Sequence, residues 1–337
     1  MTGPLWESIS DANWDRRASE LGGGIFHSLY YSHMEAARLG GQPFALLGRW
    51  REASLLIPLI RRSIPDSDYW DATSASGYPH PLFTGTDSAV DVIVNALSEY
   101  LRSLGCVSAF IRFHPLQPIP GSGIPMRVLS STAWIDLSKT DDILALAAPS
   151  LRRDVKRLRR DGFCYSLDRV NHETWTKFAS LYNATMDYKG ANGQYLFPER
   201  LMLGLGEWLA RRRDTKVAQV WDSVGRLVSS QLIVLHGGVG AEYYLSGTDR
   251  RYGGQGASKL GLVGAAEQLS AQGFHWFHLG GGVGGADDSL MQFKRRLGRR
   301  AAKYRVGTLI TDPISYAFLT AQRETKPGFF PSYRTPS

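Results

Sequence analysis

Apolar positions switch between two periods along the first part of the chain. In Asp87–Leu104, Val90, Ile93, Val94, Leu97 and Leu101 recur at three- and four-residue steps. That spacing predicts a helix with one buried face, stopped by Gly105. The segment LYYSHMEAARLG predicts an earlier helix ending in glycine, whereas PFALLGRW, ASLLIPLI and CVSAFIRF are nearly unbroken apolar runs and predict strands. Between them, DYWDATSASGYPHPLF mixes turn formers with aromatics and predicts an ordered loop. A proline- and glycine-rich piece, HPLQPIPGSGIP, leads into a short strand, TAWIDL.

The second half opens on SLRRDVKRLRRDG. Leu151, Val155 and Leu158 share one helical face and arginines and lysine cover the rest, with Ser150 as N-cap and Gly162 as stop. The stretch NHETWTKFASLYNATMDYKGANGQYLFPERLMLGLGEWLARRR predicts mostly helix. RLVSSQLIVLH and AEYYLSG predict a hairpin joined at GGVG. A helix over about Ala257–Gln272 follows, ended by Gly273. Then come strand FHWFHLGGG, the short helix DDSLMQFKRRLG and a last strand, AKYRVGTLI.

The halves echo one another. Glu99, Leu101 and Gly105 precede one strand, and Glu267, Leu269 and Gly273 precede another, each pair 168 residues apart. Helix, stop glycine and strand thus recur at one phase, as a duplicated domain would have them. The expected division is residues 1–140 and 141–337.

A hydrophobic fraction of 43% supports a sizeable core, and the net charge of +8 favours an anionic partner such as RNA, a nucleotide or a phospholipid surface. Cys106 and Cys164 have no metal-ligand or disulfide spacing, which fits a reduced cytoplasmic protein without a metal site. No apolar window is long enough to span a bilayer, and the polar, acidic N-terminus does not have the build of a signal peptide. A monomer is expected.

Candidate chemistry begins at RRYGGQGASKL. Glycines just ahead of a helix let backbone approach an anion, and the helix start supplies N–H groups and a favourable dipole. The arrangement Arg251-x-x-Gly254-x-Gly256-Ala257, after a strand and before a helix, resembles the acyltransferase motif of the GNAT superfamily, whose turn holds the coenzyme A pyrophosphate. Any strand-to-helix turn also favours glycine. The first half has TGTDSAV at the equivalent place, so only the second half is expected to hold a donor. In the basic helix, Arg152, Arg153, Lys156 and Arg159 suit contacts to phosphates, although such a run is also what a solvated helix face looks like.

Taken together, DATSASGYPHPL, SLRRDVKRLRRDGF, YYLSG and DDSLMQFKRRLG resemble the Fem-type aminoacyl transferases, over about Phe44 to Ile310. The resemblance implies an α/β fold of two tandem GNAT-like domains with mixed sheets flanked by helices. It implies transfer of an aminoacyl group from aminoacyl-tRNA to the amine of a cell-wall precursor or specialised metabolite, without a bound cofactor. The donor is then a co-substrate, aminoacyl-tRNA or, as the glycine turn also allows, acyl-CoA. The acceptor is a small molecule or peptide amine.

The resemblance places the family's Phe-Lys pair on Phe293 and Lys294. A lysine ammonium there would stabilise the oxyanion of a tetrahedral intermediate. Within FKRRLGRR, Lys294 also fits a solvated basic face. The aromatic loop matches through Ser74, Gly77, Tyr78 and Pro81 behind Asp71, with His80 where the family more often has glycine. Tyr244 matches a tyrosine of the acceptor channel. Asp71, Tyr78, Tyr244 and Phe293 are therefore the expected acceptor contacts. His114, His236, His275 and His278 read as packing or surface residues, and no general base emerges. A non-catalytic RNA-binding module would use the basic helix and leave Lys294 idle.

Overall fold

The computed structural model describes residues 3–121, 123–139, 142–191 and 196–335. In chain order its elements are β1 (Leu5–Ser8), α1 (Asp11–Glu20), α2 (Leu29–Leu39), β2 (Gln42–Trp50), β3 (Ala53–Ser63), β4 (Trp70–Thr73), β5 (Leu82–Thr84), α3 (Asp87–Ser103) and β6 (Cys106–Arg112). The middle of the chain forms β7 (Met126–Asp136), α4 (Ile143–Leu146), α5 (Pro149–Arg160), β8 (Cys164–Arg169), α6 (His172–Lys189), α7 (Glu199–Ala210) and β9 (Thr215–Trp221). The remainder forms β10 (Leu227–His236), β11 (Gly240–Thr248), α8 (Arg250–Gly253), α9 (Ala257–Ala271), β12 (Trp276–Gly280), α10 (Ser289–Gly298), β13 (Arg300–Ile310) and α11 (Pro313–Ala321).

The chain divides into two compact units: residues 1–129 with 303–337, and residues 130–302. The expected boundary, between residues 140 and 141, lies outside the described residues. The C-terminal segment belongs with the first unit because β13 pairs antiparallel with β6, Val306 to Arg112 and Ile310 to Ser108. By the same logic β7 belongs to the second unit, where its end pairs with β12, Asp136 to Trp276 and Ile135 to Phe277. Each unit thus takes its last strand from the other half of the sequence.

Both units follow one plan. In the first, β1, β2, β3 and β4 are successively antiparallel, β4 runs parallel to β6, and β13 closes antiparallel; β5 lies along β3. In the second, β8, β9, β10 and β11 are successively antiparallel, β11 runs parallel to β12, and β7 closes antiparallel. A parallel pair needs a crossover, and a helix supplies it in each case: α3 before β6 and α9 before β12. The stop glycines Gly105 and Gly273, with φ of +82° and +84°, take the same left-handed turn. The repeat in the sequence is therefore a repeat in the fold.

The two crossover helices are buried differently. The face of α3 at Val90, Ile93, Val94, Leu97 and Leu101 is buried as its spacing predicts. α9 is buried nearly all round, from Ala257 and Leu260 through Leu269. A Cβ on Gly264 would stand 2.3 Å from the Tyr165 ring, so the glycine lets α9 lie close on β8. α5 buries Leu151, Val155 and Leu158 in the second unit's core. It starts at Pro149, whose missing N–H costs nothing there, and not after Ser150 as expected.

Five strands escaped the reading of the sequence: β1, β4 and β5, the last two in and at the end of the aromatic loop, and β8 and β9. Residues 192–195 of the long stretch expected to be helical lie outside the described residues; α6 and α7 flank them. Among the described residues no helix is long and apolar enough to cross a membrane.

Candidate active site

The parallel pairing of β11 with β12 is short. It runs from Gly240 opposite Trp276 to Glu242 opposite His278 and then ends, although β11 continues to Thr248. The two strands therefore part beyond Glu242, at their C-terminal ends, where open α/β sheets form their crevices. A bulge adds to the distortion, because the register of β11 on β10 skips from Leu245 to Tyr243 and leaves Tyr244 as the extra residue. A bulge of this kind re-aims side chains.

α10 brings a lysine to this place. Asp288 caps the helix by accepting from the Met291 N–H at 2.9 Å, and its other oxygen accepts from the Val283 N–H at 3.0 Å. Met291 and Leu297 anchor the helix in the core. Lys294 falls on the same buried side, only 7% exposed, and its ammonium donates to the Gly281 carbonyl at 2.7 Å. The Tyr243 ring lies 5.4 Å from its Nζ. Burial pulls the Lys294 pKa down to about 8, against the opposing pull of Asp288 and Glu242. The neighbours differ: Arg295 reaches outward to Asp287 at 2.8 Å and Arg296 is exposed. The solvated basic face that FKRRLGRR suggests is thus real for the arginines and excludes the lysine.

Glu242, which the sequence did not single out, and His236 and His278, which it read as packing or surface residues, lie around Lys294. Glu242 is buried, and burial raises its pKa while His236, at 3.3 Å, and Lys294 oppose the rise. His278 is fully buried, and desolvation, with Lys294 and His236 nearby, lowers its pKa to about 3. It is therefore a neutral imidazole at physiological pH. The only sequence signal for this group was an acid inside an otherwise apolar strand, AEYYLSG.

The glycine turn sits at the start of α9, as its spacing implies, although the one-turn helix α8 precedes it. Gly256 has a φ of +94°, so it needs glycine, whereas Gly254 has an ordinary right-handed φ of −69° and open space around it. Ala257 is buried at the first position of α9. The first N–H groups of the helix, from Ala257 onward, are those a helix start leaves without intrahelical partners. Arg251 folds back on Asp249, with its Nη2 2.6 Å from a carboxylate oxygen.

The basic helix lies beside this turn. Arg157 donates to the Gln255 carbonyl at 2.9 Å, and Lys259 of α9 pairs with Asp154 of α5 at 2.5 Å. Arg153 and Lys156 are exposed and Arg152 partly so. Arg159 is committed to the fold, 2.6 Å from Glu267, which also accepts from Tyr165 at 2.8 Å. Of the four expected phosphate contacts, Arg159 ties α5 to α9, and the other three make no such bond among the described residues.

The expected acceptor residues scatter. Phe293 packs against the second unit's core, next to Lys294. Tyr244 is the half-buried bulge residue of β11. Tyr78, in the first unit, meets the rings of His114 and Tyr304 at 5.3 and 5.4 Å. Asp71 is fully buried, with Arg62 on one oxygen and Arg334 on the other. His80 pins the aromatic loop: its Nε2 is 2.7 Å from the Pro118 carbonyl and its Nδ1 accepts from the His114 N–H at 3.0 Å.

Comparison with known proteins bears on the fold. Residues 148–295 match the family model described as "Acetyltransferase (GNAT) domain". The fold is that of the crystal structure of FemX, with a TM-score of 0.68 at 11% identity, covering 93% of this chain and 99% of that one. It is also that of L-PGS from Bacillus licheniformis (TM-score 0.56, 13% identity, 94% and 96% covered). The C-terminal domain of a putative lysylphosphatidylglycerol synthetase from Agrobacterium fabrum shares it too (0.55, 14%, 89% and 93%). No curated protein sequence matches. The chain therefore has the tandem GNAT, Fem-like fold expected of it, and the part of its second unit from residue 148 to 295 matches a GNAT domain model.

Proposed function

We propose that the protein forms an amide bond by moving an aminoacyl group from aminoacyl-tRNA to an amine. The supporting observation is the Lys294 ammonium, buried where β11 and β12 part. The acceptor nitrogen attacks the ester carbonyl, and its electron pair moves onto oxygen. Lys294, one of whose three protons is already held by Gly281, has donors left for that oxyanion. The tetrahedral centre then collapses, the C–O ester bond breaks, and the proton lost by the amine ends on the leaving ribose hydroxyl.

The donor is assigned from the surroundings of the turn. A coenzyme A pyrophosphate would need only Gly256 and the start of α9, which favours acyl-CoA as the second reading. A tRNA end continues into a phosphodiester backbone, and Arg152, Arg153 and Lys156, on the helix whose Arg157 meets the turn, support tRNA as the donor. Shared fold with a protein named for lysylphosphatidylglycerol, an aminoacylated product, agrees with aminoacyl transfer.

Binding of charged tRNA and of acyl-CoA to the full chain, followed across salt concentrations, tests the assignment. Charged tRNA should bind with a steep salt dependence, and Arg152→Gln, Arg153→Gln and Lys156→Gln combined should flatten the slope by about two to three phosphate contacts. Acyl-CoA binding with no tRNA binding would replace the first reading by the second.

A further inference from the structure

The first unit contains a cavity of about 600 Å³, a size typical of small-molecule sites. Five arginines line it: Arg62, Arg112, Arg127, Arg323 and Arg334; no acid does. Asp71, beneath the lining, is the countercharge for both Arg62 and Arg334. The other three hold on to backbone carbonyls, which accept hydrogen bonds but leave the charge uncompensated. Arg112 donates to Ser74 O at 2.7 Å, Arg323 to Pro65 O at 3.0 Å and Arg127 to Gly328 O. No carboxylate among the described residues pairs with these three. The Arg127 Nε is buried and has no hydrogen-bond partner. A buried donor of that kind destabilises the fold unless something accepts from it.

The remaining wall is aromatic. Phe110 and Phe330 stack with centroids 6.3 Å apart, and the Arg112 guanidinium lies 4.9 Å from the Phe110 ring. Tyr316 backs Phe330 at 5.9 Å, so the wall is held in place by the C-terminal segment that also supplies Arg323 and Arg334. Clustered, partly desolvated guanidinium groups repel one another, and a fold that assembles them gains from an anion between them.

We propose that this cavity binds a small polyanion through phosphate or carboxylate oxygens held by Arg112, Arg127 and Arg323, with its uncharged part against Phe110 and Phe330. The site is separate from the donor turn, and occupancy requires no turnover, so failure of the proposed transfer reaction leaves it standing.

Titration calorimetry of the full chain with inorganic pyrophosphate and with citrate tests it and separates the two oxyanion chemistries. At least one should bind at micromolar to millimolar concentration, and the stronger one names the class. Arg112→Gln with Arg127→Gln, and separately Arg323→Gln, should each weaken binding at least about tenfold, or 1.4 kcal/mol. Arg16→Gln, whose arginine pairs with Glu20 on α1, serves as the control and should leave binding intact. No heat from either probe up to about 10 mM overturns the proposal. So does equal weakening by Arg16→Gln, or full binding in variants that melt like the parent.

Discussion

The two units solve one topological problem twice and then part in their chemistry. Both carry a parallel strand pair, β4 with β6 and β11 with β12, reached through a crossover helix and a left-handed glycine. In the first unit the crossover helix starts after Thr86 in ordinary extended backbone; in the second it starts after Gly256 at a φ of +94°. Near the strand ends the first unit sets several half-buried arginines around a cavity, and the second sets one fully buried lysine. Arginine keeps its charge in either setting and suits holding an anion that persists. A lysine brought down to about pKa 8 suits a charge that develops and disappears during reaction. With both proposals, the duplicated scaffold would separate standing anion recognition from transient charge stabilisation.

The largest effect that can break this contrast is at Lys294. Lys294→Met keeps most of the stem and removes the ammonium. If the second unit stabilises an oxyanion, kcat should fall about a hundred- to a thousandfold, or roughly 3–4 kcal/mol, with little change in donor affinity. Arg295→Met and Arg296→Met remove neighbouring charges that point outward and should change kcat by no more than a few fold. Steady-state kinetics on the three variants decides the matter: equal effects would return Lys294 to the role of one basic residue among several.

A second effect, about tenfold, concerns the starts of the crossover helices. Gly256→Val forces a branched residue into the left-handed region and presses its Cβ to 3.1 Å from the Lys259 side chain. A strain of about 1–3 kcal/mol at that point should weaken donor binding by about one order of magnitude. Gly254→Val has ordinary dihedrals and open space, so donor affinity should stay within twofold of the parent. Direct donor titration separates the two, and the same weakening by both would make the turn a passive loop.

Much of this contrast was legible in the sequence, and the reasons it was incomplete are physical. The spacing in α3 and α5 showed their buried faces, because one apolar side against a polar one leaves a period. α9 has none, being buried all round, and was found from its glycines. β4 was hidden because its four residues, WDAT, bury an aspartate that no pattern of apolar residues announces. The ion pairs that make this tolerable join Asp71 to Arg334, 263 positions away. The exchange of closing strands could not be read either, since β7 and β13 look like the closing strands of their own halves and pair with β12 and β6 instead. Lys294 was named from a resemblance, but its burial depends on the packing of α10, and FKRRLG by itself reads as a basic face. The arginines around the cavity are spread from position 62 to 334 and have no motif.

The last effect sharpens the comparison through pH. Lys294 has a folded pKa of about 8 against 10.5 for the free side chain. Between those values the unfolded chain binds a proton that the folded chain does not, so stability should rise with pH across that window. Denaturant midpoints of the parent, referred to those of Lys294→Met, should therefore climb from pH 8 to pH 10.5, by up to about 3 kcal/mol at 1.36 kcal/mol per unit. His278 acts with the same sign at the other end. Its folded pKa of about 3 lies below the ordinary 6.5, so protons bind the unfolded state first and stability falls as pH drops from 6.5 toward 3. His278→Gln should flatten the acid limb and leave the alkaline one alone. Parallel slopes in the parent and Lys294→Met would mean that the ammonium is hydrated in the folded chain, and the contrast between a buried lysine and half-buried arginines would collapse.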